Sequence, residues 1–309
     1  MELRNLRHFV AVADALSFRV AAARLHLTQP ALTRSIAALE RELGVRLFAR
    51  DKRHVALTAD GTRLLERARA ILSGADELSY TAHVLSAAST RRLRVGVYGN
   101  GLAELTHPVL QTFCDRHPDT ALEVRDADFA YGIDPLFSGQ FDVALLRSPV
   151  NLPILHTVPL FQEPMVVLLP ACDPRAGAAP VDVSDFFADP WVTHPRSIPA
   201  EWGASWLFAE QRGGASATIG GYARNEAEFF AAVAYRRLVG LVPASAPRKA
   251  CHPGVRAVPT RVAHMLPAAV VYPATGFLPG AAAFAEIAAS VVARSLHLVP
   301  GAEPPNPTR

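Results

Sequence analysis

Apolar residues recur at helical spacing through the first part of the chain and predict three short helices. The first helix carries its apolar positions on one face: Leu3, Leu6, Phe9, Val10, Ala13 and Leu16. A second helix begins after Ser17, and a third begins after Thr28, because both side chains can cap a helix. Pro30 lies in the first turn of the third helix, where a missing N–H costs little, and Gly44 fits its end. The segment from Ser17 to Leu47 therefore predicts two helices joined by a tight turn.

The third helix pairs an apolar stripe with a polar face. The stripe consists of residues three or four positions apart: Leu32, Ile36, Leu39 and Leu43. The opposite face carries small and polar side chains: Gln29, Thr33, Arg34, Ala37 and Arg41. Such a face, with an arginine near the N-terminal end of the helix, suits entry into the major groove of DNA. We therefore favour a DNA-binding helix-turn-helix over an ordinary amphipathic helix pair.

A short β-hairpin pattern follows at Val45 to Leu57, with basic side chains around its tip. These side chains are Arg50, Lys52, Arg53 and His54. In a winged helix-turn-helix such a ribbon lies along the DNA backbone and contacts phosphates, whereas alone it is more often a solvated loop. Residues 1–57 carry a net charge of +5 and the remainder carries −2, although the whole chain is only +3. This asymmetry predicts a polyanion-binding head on a nearly neutral body.

A long helix is predicted from Thr58, which can cap it, to about Ser86. Four apolar residues repeat every seven positions along it: Leu64, Ile71, Leu78 and Leu85. Small residues repeat beside them: Gly61, Ala68, Ala75 and Ala82. A heptad seam with small residues on one edge permits close helix approach, so we expect dimerisation through this helix. The alternative is a helix buried within one chain.

Together these motifs resemble the N-terminal part of a LysR-type transcriptional regulator over residues 1–88. The resemblance is carried by the sequences LRHFVAVADALSFRVAAARLHLTQPALTRSIAALERELGVRLFAR and LTADG. It implies a winged helix-turn-helix domain at 1–57 and a linker helix for dimerisation at 58–88. It also implies a set of side chains at the DNA-facing end of the recognition helix: Thr28, Gln29, Pro30, Thr33 and Arg34. Arg50 and Arg53 then lie in the wing, beside Lys52.

After the small and polar residues 87–92, strand-like and helix-like segments alternate, and one of the helices is expected near Glu201–Gln211. This alternation predicts an α/β body with largely parallel sheets. This part resembles the family's effector-binding domain more weakly, through FSGQFDVALLRSP, PLFQEPMVVLLP and LVGLVP. The resemblance implies two α/β lobes, similar to periplasmic solute-binding proteins, within residues 91–299. Lobe I would hold 91–162 and 267–299, lobe II would hold 163–266, and a small-molecule effector would bind between them. Residues 300–309 are expected to form a disordered tail.

Side chains at the predicted strand ends indicate what the cleft between the lobes would hold. Ligands of open sheets bind beyond the carboxyl ends of the strands. The expected effector-binding residues are Asn100, Gly101, Arg147, His194, Arg196 and Asn225. The basic residues Arg147, Arg196, His194 and Arg224 would make this cleft positive. Arginine can grip a carboxylate bidentately, so we expect a small anionic effector. The alternative is that these arginines are solvated or pair with Asp126, Asp128 or Glu226.

The three cysteines, Cys114, Cys172 and Cys251, lack zinc-ligand spacing and are expected to be buried, inert thiols. A redox switch that uses Cys172 and Cys251 is the alternative. The sequence contains no recognisable catalytic motif, metal-ligand set or cofactor-binding loop, so we expect neither an enzyme nor a cofactor. A solute-binding module without DNA binding is the competing class of protein.

The first residues, MELRNLRHF, lack the features of a signal peptide, and no stretch is apolar for long enough to span a membrane. We therefore expect a cytoplasmic transcription factor without membrane association. Its expected partners are double-stranded operator DNA, a small effector, and further copies of itself in a dimer or tetramer. RNA polymerase would be a partner if the protein activates transcription.

Overall fold

The computed structural model describes residues 2–25, 27–50, 55–147, 152–177, 180–195, 198, 200–262, 264–275 and 277–305. Contacts divide the chain into two compact units, Met1–Ser79 and Tyr80–Arg309. The division falls inside one long helix, Ala59–Thr90. The domain and lobe limits expected from the sequence stay predictions.

The first unit consists of helices and one small hairpin. Its helices are α1 (Leu3–Ala15), α2 (Phe18–Arg24), α3 (Gln29–Leu43) and the first part of α4 (Ala59–Thr90). Its strands, β1 (Phe48–Arg50) and β2 (Val55–Leu57), pair antiparallel. The three predicted helices and the hairpin are thus confirmed within the described residues. His26, at the predicted turn between α2 and α3, lies outside them.

Local sequence explains where these helices begin and end. The Ser17 hydroxyl oxygen accepts a hydrogen bond from the N–H of Val20 at 3.3 Å, and Thr28 Oγ1 accepts one from Ala31 at 3.4 Å. Each bond satisfies an N–H that the helix itself cannot pair. Gly44 follows the last residue of α3 with φ +71°, a left-handed conformation that glycine adopts without steric cost. All three predicted caps are confirmed.

An apolar core joins α1, α2 and α3 to the hairpin. The Phe48 ring meets Phe9 and Phe18 edge-on, with ring centroids 5.6 and 5.7 Å apart, a favourable geometry for aromatic pairs. Helix α3 contributes three fully buried side chains from its predicted apolar stripe: Leu32, Ile36 and Leu39. Because this stripe is buried, the polar face of α3 must point away from the core.

Helix α4 is longer than the sequence predicted. Thr58 caps it as expected, accepting a hydrogen bond from the N–H of Gly61 at 2.9 Å. The helix continues to Thr90 instead of ending near Ser86. No glycine or proline follows Gly74 within it, so nothing in the sequence stops the helix earlier.

Two of the small residues on α4 pack inside the first unit. A Cβ at Gly61 would collide with the carbonyl oxygen of Leu47, so glycine permits the close approach of α4 to the chain entering β1. Ala68 is buried in the core of the same unit. The prediction that these two residues line a seam between copies is therefore wrong; they serve packing within one chain.

The second unit alternates strands and helices. Its strands are β3 (Arg92–Tyr98), β4 (Ala121–Ala127), β5 (Val143–Arg147), β6 (Leu155–Pro170), β7 (Trp191–Thr193), β8 (Ile219–Tyr222), β9 (Gly240–Pro243), β10 (Val255–Pro259) and β11 (Met265–Pro273). Its helices after α4 are α5 (Thr106–Arg116), α6 (Asp134–Phe137), α7 (Ala200–Ser205), α8 (Glu226–Arg236), α9 (Ala246–Lys249) and α10 (Pro279–Ser295). The predicted α/β class is confirmed.

The main sheet is mixed, which corrects the prediction of largely parallel sheets. Its strand order is β10-β6-β11-β5-β3-β4, and β9 also pairs with β6. Strand β3 pairs parallel with β4 and β5, whereas β6 and β11 pair antiparallel with every neighbour. A separate pair, β7 and β8, is parallel. The reason lies in two long strands. Strand β11 runs antiparallel to β5, and β6 runs antiparallel to β11, β9 and β10.

Strand β6 belongs to two groups of strands in succession. Its first part pairs with β11, and its last part pairs with β9 and β10. Glu163 lies near the point where β6 changes its pairing partners, and it is opposite Leu266 of β11. The strand therefore carries a charged residue into the interior where the two predicted lobes would meet.

Two segments near predicted boundaries differ from expectation. Glu303 exchanges backbone hydrogen bonds with Gln162 at 2.8 and 2.9 Å, so residues 300–305 are ordered rather than a disordered tail. Residues 306–309 lie outside the described residues. The helix predicted near 201–211 is reduced to α7, because Phe208 takes a left-handed conformation with φ +54° that cannot continue a helix.

By length and composition, the helical stretch Pro279–Leu298 would be able to cross a membrane. In the fold it is a core helix. Phe284, Ile287 and Val291 are buried in the same apolar cluster as Val95 and Leu145 of the sheet. Packing within the second unit accounts for its hydrophobicity.

Candidate DNA-binding surface and interlobe pocket

The N-terminal end of α3 presents a polar surface, and the expected DNA-contacting residues lie on it. Thr28, Gln29, Pro30 and Arg34 are exposed, and Thr33 is half-buried. The cap and the buried stripe hold this end of the helix in place. A short, polar helix end with an exposed amide and guanidinium can donate to and accept from base edges and phosphates.

Glu40, to which the sequence assigned no role, joins α3 to the hairpin. This buried carboxylate accepts hydrogen bonds at Oε1 from the N–H groups of Leu47 and Phe48, at 2.9 and 3.3 Å. A charged acceptor that holds two backbone donors fixes where β1 starts relative to α3. Helical periodicity did not reveal this contact, because both partners lie beyond the end of the helix.

A polar contact also joins α1 to α3. His8 Nδ1 lies 2.6 Å from the Ser35 hydroxyl, which donates to Asn5 Oδ1 at 2.9 Å. Since the single hydroxyl proton of Ser35 is directed to Asn5, His8 donates from Nδ1–H. Burial lowers the pKa of His8, and the nearby charge of Arg4 adds to this. The neutral ring therefore anchors the helix that carries the polar surface.

The tip of the hairpin is only partly described. The backbone of Arg50 lies in β1, while its side chain lies outside the described residues. Lys52 and Arg53 also lie outside them. Their phosphate contacts stay a prediction.

The expected dimerisation residues on α4 differ in exposure. Leu64 is half-buried against the core of its own unit, whereas Ile71 and Leu78 are 43% and 72% exposed. The side chain of Leu85 lies outside the described residues. Exposed apolar residues seven positions apart are what a seam between two copies requires.

A small pocket in the second unit brings together residues of both predicted lobes, and we call it the interlobe pocket. Its lining consists of Tyr98, Gly99, Asn100, Phe129, Arg147, His194, Trp206, Asn225, Glu226, Phe229, Val242 and Pro243. Four of the expected effector-binding residues are among them, at positions 100, 147, 194 and 225. The cavity volume is about 20 Å³, room for about one water molecule. An aromatic carboxylate would need the lining to move apart.

Arg147 is buried and already paired, which corrects the expectation of a bidentate grip on a ligand. Its guanidinium forms an ion pair through Nη1 with Glu163, and its Nε donates to the carbonyl of Gly101 at 2.6 Å. Burial lowers the pKa of Arg147, and the Glu163 carboxylate opposes this. Nη1 makes this ion pair, but Nη1 and Nη2 are both buried without a hydrogen-bond partner among the described residues. Neither expected alternative, a solvated arginine or pairing with Asp126, Asp128 or Glu226, occurs here.

Asn100 and Ser245 extend this polar cluster. Asn100 Nδ2 donates to the Ser245 hydroxyl oxygen, and its Oδ1 is buried without a partner among the described residues. The Ser245 hydroxyl donates in turn to Glu163 Oε1 at 2.7 Å. Gly101 contributes its carbonyl group to Arg147, so its effect on a ligand would be indirect.

His194 is held neutral between aromatic rings. Its ring stacks on Phe129 with centroids 4.0 Å apart and meets Trp206 edge-on at 4.5 Å. Burial lowers the pKa of His194 to about 3, and the backbone of Ala223 opposes this only weakly. The expected positive contribution of His194 to the cleft is therefore wrong at neutral pH.

The other expected cleft residues have separate roles. Asn225 Oδ1 caps α8 by accepting from the N–H of Glu228 at 2.9 Å. Arg196 lies outside the described residues. Arg224, considered beside them, pairs with Asp128, as the alternative proposed. Burial raises the pKa of Glu226, which lines the pocket, although Lys249 and Arg147 oppose this.

All three cysteines are exposed, which corrects the expectation of buried thiols. They lie in connecting segments or on a helix surface rather than in the core. Two of them lie at the same end of one strand pair: the N–H of Ala171, next to Cys172, donates to the carbonyl of Gly254 at 2.9 Å. Cys251 lies three positions before that glycine.

Family comparisons match both units. The model of bacterial regulatory helix-turn-helix proteins of the lysR family matches residues 3–62, and the LysR substrate binding domain matches residues 86–293. The second match alone covers more than half of the chain. The protein belongs to the LysR family.

Individual relatives are similar over part of their length. The chain is 42% identical over 176 residues to the Hca operon transcriptional activator HcaR of Escherichia coli (strain K12), covering 57% of this chain and 59% of HcaR. It is 30% identical over 217 residues to the transcriptional regulator AlsR of Bacillus subtilis (strain 168), covering 69% and 71%. The crystal structure of full-length BenM shares the fold, with TM-score 0.54, 24% identity and coverage of 99% and 100%. The alignment thus spans about three fifths of the length of HcaR.

Proposed function

We propose that this protein is a sequence-specific DNA-binding transcriptional regulator that acts in the cytoplasm and responds to a small effector. The observation that carries the proposal is the N-terminal end of α3. Gln29 and Arg34 are exposed there, while the opposite stripe of the helix is buried. This arrangement suits insertion into a major groove, with Gln29 facing an adenine edge and Arg34 a guanine or a phosphate.

Gel-shift titration of genomic fragments at several salt concentrations tests DNA binding. We expect affinity to fall steeply with salt, because lysines and arginines displace counterions from phosphates. Replacing Arg50 or Arg53 by alanine should each reduce the salt slope by about one. Absence of binding at low salt would instead favour the solute-binding class.

We further propose that two copies associate through α4. Its exposed apolar residues Ile71 and Leu78 support the proposal, and two heads on one seam would address two half-sites. Ile71→Asp should yield a monomer at micromolar concentration in analytical ultracentrifugation, with Arg63→Asp on the same exposed helix as control. A dimer that survives Ile71→Asp would contradict this seam. Whether pairs assemble further into tetramers is tested in the same sedimentation run.

We propose that the effector binds in the interlobe pocket and changes the spacing or bending imposed on DNA. Its support is a buried site with aromatic walls and a few polar atoms, the usual make-up of small-molecule sites. The expectation of an anionic effector now rests on Arg196 alone, because the charge of Arg147 is already matched by Glu163. Genome-wide mapping of bound DNA would name candidate metabolites through the neighbouring genes, for direct binding assays.

A second function, redox sensing, has one observation in its favour: Cys172 and Cys251 are exposed at the same end of one strand pair. Peroxide would oxidise the two thiols to a disulfide and be reduced to water. Thiol titration after peroxide treatment should then show two thiols lost together in the wild type. Cys172→Ser should abolish that paired loss, with Cys114→Ser as control.

A further inference from the structure

Glu163 is a buried carboxylate that lies among donors of the kind that bind ligand anions. Its side chain is 0% exposed. Arg147 pairs with Oε1, the Ser245 hydroxyl donates to Oε1 at 2.7 Å, and the Ser245 N–H donates to Oε2 at 3.2 Å. A guanidinium, a hydroxyl and a backbone N–H are together a typical binding set for a carboxylate.

These donors come from different parts of the second unit. Arg147 ends β5, Ser245 precedes α9, and Glu163 lies on β6, which runs between them. Asn100 bonds Ser245 from the loop after β3. The carboxylate of Glu163 thus lies behind the lining of the interlobe pocket, where it joins the lining residue Arg147 to Ser245.

No lining residue that the structure describes supplies an unmatched positive charge to the pocket. The positive charge of Arg147 is matched by Glu163, and His194 is neutral. Among the described lining residues, an additional anion at this buried place would find no uncompensated cation to pair with, and an unpaired buried charge is strongly disfavoured. Among the described residues, the lining atoms that are buried without hydrogen-bond partners include a donor, Arg147 Nη2, and an acceptor, Asn100 Oδ1. The ring nitrogens of His194 and the indole N–H of Trp206 are also buried without partners there.

We propose that Glu163 acts as a resident anion behind the lining of the interlobe pocket, paired with Arg147, so that the wild-type pocket accepts an uncharged polar effector rather than a carboxylate. Such an effector offers an acceptor to Arg147 Nη2 and a donor to Asn100 Oδ1, as an amide or a hydroxyl compound does. This inference rests on the proposed effector-binding function of the pocket. The pocket would then recognise its effector by hydrogen bonds rather than by charge, with aromatic side chains on either side of the effector.

Replacement of the resident anion tests the proposal in the full-length protein. Glu163→Ala should create an anion site that acetate fills, so acetate should raise the thermal midpoint of this variant saturably. The uncharged isostere acetamide should need roughly tenfold higher concentration, because charge-assisted hydrogen bonds are about twice as strong as neutral ones. The wild type should show no preference for acetate. The double variant Arg147→Met/Glu163→Ala should lose the acetate response.

Two results would overturn the proposal. Equal effects of acetate and acetamide on Glu163→Ala would show that Glu163 does not fill an anion site. A preference of the wild type for acetate that Arg147→Met removes would show that Arg147 accepts an external anion beside Glu163.

If Glu163→Ala does not fold, Glu163→Gln keeps the shape and removes the charge. Its preference for acetate over acetamide, measured by tryptophan fluorescence near Trp206, should exceed that of the wild type by about tenfold. An unchanged preference would contradict the proposal. DNA affinity measured in the same buffers separates a failure of this inference from a failure of the proposed function. If the proposed function is wrong, added ligand leaves the DNA affinity unchanged, while the preference for acetate over acetamide can still be measured.

Discussion

The proposed DNA-binding surface and the interlobe pocket hold their polar side chains in opposite environments. Gln29 and Arg34 lie exposed on α3, whereas Arg147, His194 and Glu163 are buried in the second unit. Exposed groups remain solvated and are free to meet DNA. Buried groups must find partners within the protein before any ligand arrives. A surface site can therefore be recognised from its own segment, while a buried site is defined by residues far away in the sequence.

The two sets of residues also differ in what they contribute to stability. A base-reading side chain on the surface contributes little to folding, so its replacement should affect binding alone. A buried ion pair has lost its hydration, so removing one partner leaves the other charge exposed to a low dielectric environment.

The largest effect is expected for Arg147→Met, which leaves Glu163 buried without its cation. The free energy of unfolding should fall by about 3–5 kcal/mol in urea denaturation. The matched control is Arg248→Met, which breaks the partly exposed pair with Glu104 at 2.7 Å and should cost at most about 1 kcal/mol. Equal costs for the two variants would erase the distinction between buried and surface pairs.

Acid should destabilise the second unit through His194. Its pKa is lowered to about 3 in the folded chain, while the unfolded chain keeps the usual value of 6.5. Below that usual value the unfolded chain binds the extra proton, so the free energy of unfolding falls by about 1.4 kcal/mol per pH unit as pH decreases towards 3. Between pH 6.5 and about pH 4.5 the loss is about 2 kcal/mol. His194→Phe should remove this part of the pH dependence; an unchanged pH profile would contradict it.

On the surface, Gln29→Ala should weaken binding to a DNA site selected from a random library by about 1–3 kcal/mol. Binding to unrelated DNA and the thermal midpoint should change little, because Gln29 is exposed and its backbone conformation is kept. Gln140→Ala, exposed in the second unit, is the control. Equal losses on selected and unrelated DNA would assign Gln29 to general affinity rather than base reading.

The smallest effect is expected at the cap of α3. Thr28→Ala removes the oxygen that accepts from Ala31 at 3.4 Å, a long hydrogen bond, and should cost about 0.5–1 kcal/mol in thermal unfolding. Thr28→Ser keeps the hydroxyl and should retain most of the stability. If serine and alanine are equivalent, the cap contributes nothing measurable.

Most of the first unit could be predicted from the sequence, because its determinants are local. Ser17, Thr28 and Gly44 mark helix ends through contacts within four residues, and the α3 stripe follows helical period. The hydrogen bonds of Glu40 could not be predicted in this way, since its partners Leu47 and Phe48 lie beyond the end of α3. The assignment of Gly61 to a seam failed for the same kind of reason, because its neighbour Leu47 lies outside the helix.

In the second unit the alternation of strands and helices was visible, but strand directions were not. Apolar strands look alike whether they pair parallel or antiparallel, and only the course of β6 and β11 decides between the two. The sequence also placed Arg147 at a strand end facing a cleft, yet showed nothing of Glu163.

By itself the sequence determined the class of protein, helix α3 and the residues exposed on it, because helix period and caps act within a few positions. Only the tertiary structure decided the charge of the pocket. Arg147 and Glu163 come together through the pairing of β5, β11 and β6, and Ser245 joins them from the other side. Ion pairs depend on distance in space, and folding alone sets that distance.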